Sequence, residues 1–111
     1  MGMWDFEAWG NDSAADWFGD LMEATKLREH WLNGIQGDAE DEYEEVRAAV
    51  WLFAQLGRTY IWPIDHLDAD LELAISAAKT LLANEWLQEE APDFLTKVRD
   101  ELADIESRRK K

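Results

Sequence analysis

The sequence predicts an all-α protein: a compact bundle of four main helices plus a short one, with an irregular aromatic arm at the N-terminus. Three observations predict it. Apolar residues recur at three- and four-residue spacing through most of the chain. The one strand-prone run, Thr59-Tyr60-Ile61-Trp62, is cut short by Pro63. The 111 residues, 47% of them apolar, suit a single domain with one core.

Residues 1–10 carry Trp4, Phe6 and Trp9 without helical spacing, which predicts an arm pinned to the core by its aromatics. Asn11-Asp12-Ser13 then offers three N-cap residues in a row. Ala14, Trp17, Phe18, Leu21 and Met22 follow as one stripe, giving a helix over about 13–24. Leu27, Trp31 and Leu32 share a face of a short helix, 26–33, stopped by Asn33-Gly34. The third helix is expected over 38–56. Its first turns hold the acids that a helix dipole favours there, and its apolar 48–54 segment marks it as the most buried element. Residues 58–66 read as a connector. Asp68 reads as the cap of a helix over 68–84 with the stripe Leu71, Ala74, Ile75, Ala78, Leu81 and Leu82. Trp86 and Leu87 fall on a turn. Pro92 opens the last helix, 92–108, with Leu95, Val98, Leu102 and Ile105 on one face and Lys97–Glu101 pairing outside. The seven Trp are expected mostly at packing points, with one or two partly exposed.

The formal charge is −14, and it is lopsided: residues 1–45 hold thirteen acids against two bases. That balance opposes binding to nucleic acid or anionic lipid. No apolar run reaches membrane-spanning length, and the first residues lack a signal-peptide pattern, so a cytoplasmic location is expected. With no Cys, thiolate catalysis and Cys-based metal sites are excluded. The basic end, Arg108-Arg109-Lys110-Lys111, is read as complementing the dipole of its own helix.

Gly2, Trp4, Asn11, Asp12, Ala14, Asp16 and Trp17 fall at the spacing of an N-terminal Gly-x-Trp … Asn-Asp-x-Ala-x-Asp-Trp pattern, with Trp9 where a Phe is usual. In this the chain resembles the bacterial domain-of-unknown-function family 4259. It departs from that pattern at Met3, Asp5, Glu7 and Gly10. The similarity covers about the first 22 residues, with a weaker echo in Asn84-Glu85-Trp86-Leu87. The resemblance implies a helical domain and supplies no activity.

No phosphate loop, nucleophile elbow or basic–aromatic interleaving is present. No catalytic residue, cofactor or metal ligand set is assigned. The run Asp38, Glu40, Asp41, Glu42, Glu44 and Glu45 packs six acids into eight positions. It is read as a docking face for a basic protein, beside the plainer reading of a solvated helix start. The leading expectation is therefore a non-enzymatic interaction protein of the inhibitor or immunity kind. One alternative is a small carboxylate- or metal-dependent hydrolase using Asp12, Asp16 and His66, for which capping and surface roles are the plainer account. Another is a small-ligand binder with an aromatic cleft between arm and bundle, drawing on Trp4, Trp9, Asp12, Asp16 and Trp62.

Overall fold

A computed structural model describes residues 12–109, and six helices account for most of them: α1 (Asp12–Thr25), α2 (Leu27–Ile35), α3 (Tyr43–Leu56), α4 (Ile64–Leu82), α5 (Glu85–Glu90) and α6 (Pro92–Glu106). The fold is all-α, with no strand among the described residues. None of these helices is long and apolar enough to cross a membrane. The arm 1–10, with Trp4 and Trp9, lies outside the described residues, as does Asn11.

α4 packs against both α3 and α6, and α3 packs against α2 and α6. The α6 stripe is buried as its spacing requires: Leu95, Val98, Leu102 and Ile105 all point inward. So do Leu71, Ala74, Ile75, Ala78 and Leu81 of α4. At the centre, Trp31, Phe53 and Trp62 form a ring cluster. Their centroids lie 5.0–5.4 Å apart, and Trp62 meets the other two edge-on. Both buried indoles have partners. Trp31 Nε1 donates to the Ala49 carbonyl at 2.9 Å, and Trp62 Nε1 donates to Asp70 at 2.8 Å.

Several boundaries differ from the sequence expectation. α3 begins at Tyr43, not at 38, because Asp38 satisfies a turn instead of a helix. Its Oδ1 accepts from the Glu40 and Asp41 amides at 2.7 and 3.2 Å, while Glu42 Oε1 accepts from the Asp38 amide at 2.9 Å. Gly37 fits this tight turn, since a Cβ there would lie 3.1 Å from the Gly34 carbonyl oxygen. α4 begins at Ile64, directly after Pro63, so Asp68 lies inside the helix and not at its cap. Residues 85–90 form a true helix, capped by Asn84, whose Oδ1 accepts from the Leu87 amide at 3.0 Å.

The 48–54 segment is not buried all round: Ala48 is exposed and Trp51 is 48% exposed. The α1 stripe is only half realised. Met22 is buried, but Trp17 is 62% exposed and Leu21 also faces solvent. Among the described helices, α1 packs against α2 alone. Three of the five described Trp are thus largely open, more than expected. The outer-face pairing on α6 also differs, since Glu101 pairs with Arg47 of α3 at 2.8 Å.

Of the basic end, Lys110 and Lys111 lie outside the described residues, and Arg108 and Arg109 serve other helices more than their own. Arg108 donates to the carbonyls of Ala54 at 2.6 Å, Gly57 at 3.2 Å and Phe53 at 3.4 Å, closing the C-terminal end of α3. It also pairs with Asp104 of α6 at 2.8 Å. Arg109 forms a two-pronged pair with Glu72 of α4 at 2.6 and 2.8 Å.

Candidate interaction site

The acids at 38–45 divide into two groups. Asp38 and Glu42 build the turn described above, and the two backbone amides on Asp38 hold its carboxyl below the usual carboxylate range. Glu40, Asp41, Glu44 and Glu45 project into solvent, the last two on the first turn of α3.

Glu40 does not stand on an open flank. It lines a cleft of about 640 Å³ with Tyr43, Ala83, Asn84, Glu85 and Trp86. The indole of Trp86 is 57% exposed beside the Tyr43 ring, with centroids 5.9 Å apart. Tyr43 in turn meets Phe94 edge-on at 5.7 Å. The two walls are tied together by Asn84. While its oxygen caps α5, its Nδ2 donates to the Ala39 carbonyl at 2.9 Å. This buried amide sets the acidic turn against the first turn of α5. The backbone segments that carry Glu40 and Trp86, from distant parts of the chain, are thereby set side by side.

Tyr43, Glu85 and Trp86 escaped the sequence reading. Residue type carries a partial signal: an indole on a short polar helix has little core to fill. The pairing with Glu40 spans more than forty residues and leaves no local trace.

A second, larger cleft of about 780 Å³ lies between α1 and the connector before α4. Asp16 and Trp62, both candidates from the sequence, line it, as do His66 and Lys26. Asp12 lies outside it, exposed on the first turn of α1. Trp62 contributes a buried floor and not an open wall. The two non-glycine residues with positive φ, Lys26 (52°) and Tyr60 (77°), both border this cleft. For a ring as bulky as Tyr60 that backbone is strained, and such strain clusters at functional sites.

Behind the floor, Asp70 is fully buried on the core face of α4. It accepts from Arg28 Nε and Nη2 at 2.6 and 2.9 Å and from the Trp62 indole. The Asp70 hydrogen bonds push the Arg28 pKa up, against a smaller effect of burial. The role of Asp70 is structural, joining α2, the connector and α4. Among the described residues no group of three or more His, Asp or Glu is arranged to hold a metal ion.

Comparison of the chain with family models, with curated proteins and with solved structures gives no match, so the site is read from its own geometry.

Proposed function

We propose that this chain is a non-enzymatic interaction protein that docks a basic protein partner, in the manner of an inhibitor or immunity factor. The observation that carries this reading is the convergence of Glu40 and Glu85 on the exposed Trp86–Tyr43 pair, with Asp41, Glu44 and Glu45 free beside it. Exposed aromatics bounded by charge are the composition of interface anchors. The surrounding negative field steers a cationic partner and speeds its encounter.

The test is a pull-down at low and high salt, run with the native chain and with a variant carrying Glu40→Gln, Asp41→Asn, Glu44→Gln and Glu45→Gln. A basic protein should be retained at low salt, released as salt rises and lost from the variant. Equal retention by the variant would end this reading.

A second reading draws on the cleft between α1 and the connector. Its volume falls in the range of small-ligand sites, roughly 300–1,000 Å³, and strained backbone at Tyr60 borders it. Trp fluorescence across a metabolite panel separates the two, because a small-ligand site predicts a response without any protein partner.

A further inference from the structure

The chain already shows how this aromatic row holds a guanidinium. Trp86, Tyr43 and Phe94 follow one another at 5.9 and 5.7 Å. At the Phe94 end, the guanidinium carbon of Arg47 sits 5.7 Å from the ring centroid and pairs with the Glu101 carboxylate at 2.8 Å. One ring face and one carboxylate thus hold one arginine. At the Trp86 end the same components recur with no arginine among the described residues that line the cleft. There is a largely exposed indole, with Glu40 on one wall and Glu85 on the other, in a cleft of about 640 Å³.

Building on the docking reading above, we infer that this cleft is the anchor pocket for a single arginine side chain presented by the basic partner. Stacking on Trp86 uses the face of the guanidinium and leaves its five N–H groups free in the plane to donate to the flanking carboxylates. A lysine ammonium is a compact, strongly hydrated charge with no plane to stack. Indole is also the strongest of the natural cation–π partners. The brace from Asn84 to Ala39 keeps Glu40 and Trp86 in register, so little ordering is left for the moment of binding.

The probe is a peptide of alternating arginine and glycine, with a lysine–glycine peptide of equal length and charge beside it. Binding is followed by calorimetry and by the indole N–H resonances of the ¹⁵N-labelled chain, with Trp86 assigned from Trp86→Phe. The arginine peptide should move the Trp86 indole resonance and bind more tightly than the lysine peptide. Trp86→Leu should weaken it by about fivefold or more. Glu85→Gln should weaken it more than Asp100→Asn, which removes the same charge from the exposed face of α6. If the arginine peptide binds while the Trp86 resonance stays still and Trp86→Leu binds like the native chain, the pocket assignment falls and the acidic docking face survives. Equal affinity for the lysine peptide likewise overturns the arginine pocket. If neither peptide binds at low salt, both readings fall together.

Discussion

α1 and α6 carry the same kind of apolar stripe, yet only α6 is seated in the core. Its Leu95, Val98, Leu102 and Ile105 are buried against neighbouring helices. α1 contributes Met22 alone, leaves Trp17 and Leu21 in solvent, and packs on α2 and no other described helix. Periodicity identifies which face of a helix is apolar. Whether that face finds a partner depends on where the chain returns, and this is set by residues far away.

The contrast can be tested by deletion on each side of it. Leu95→Ala empties a fully packed site in α6 and should cost about 3–4 kcal/mol in chemical denaturation. Asp70→Ala should cost nearly as much, about 3 kcal/mol, since it strands Arg28 and the Trp62 indole N–H without their acceptor. Asp70→Asn, which can still accept from the indole, should cost less. α1 attaches to the core by way of α2, and Asp70 ties α2 to α4. Hydrogen exchange in Asp70→Ala should therefore rise in α1 and α2 before it rises in α6. Gly57→Ala should cost about 2 kcal/mol, because a Cβ there would sit 2.5 Å from the Phe53 ring.

Acid titration supplies a smaller effect. The Asp38 carboxyl lies lower in the folded chain than in the unfolded one. Its contribution is present above the unfolded value and is lost as pH falls through the folded value. Denaturation of Asp38→Asn across the acidic range should show a shallower loss than the native chain. Smallest of all, Leu21→Ala should change stability by less than about 0.5 kcal/mol, since the side chain faces solvent. A loss as large as that of Leu95→Ala would show that α1 is seated after all.

The sequence made the helical class legible, because stripes such as Leu71–Ala74–Ile75–Ala78–Leu81 admit one period. It misjudged ends where a side chain competes with the backbone. Asp38 was read as a helix start because acids favour first turns, but its carboxylate closes a turn with Glu40 and Asp41. Pro63 was read as the end of a strand-prone run, although proline also opens helices and the chain turns straight into α4 after it. Asp70 had a usable signal. It falls four residues before the buried Ala74, on the inward face, where an acid requires a partner. That the partner is Arg28, forty-two positions earlier, is not written in any local pattern. The interaction cleft was legible by half: Glu40 stood out by charge, while Trp86 passed for a turn residue.

The grip of Arg108 on the end of α3 bears on the order in which this chain can fold. The carbonyls of Ala54 and Gly57 take the Arg108 guanidinium as donor from 51–54 positions downstream. A nascent chain can form the Trp31–Phe53–Trp62 cluster early, but the end of its third helix lacks these bonds until residue 108 has been made. Contacts of such long separation form late and slow the final step. Arg108→Ala should therefore loosen the end of α3.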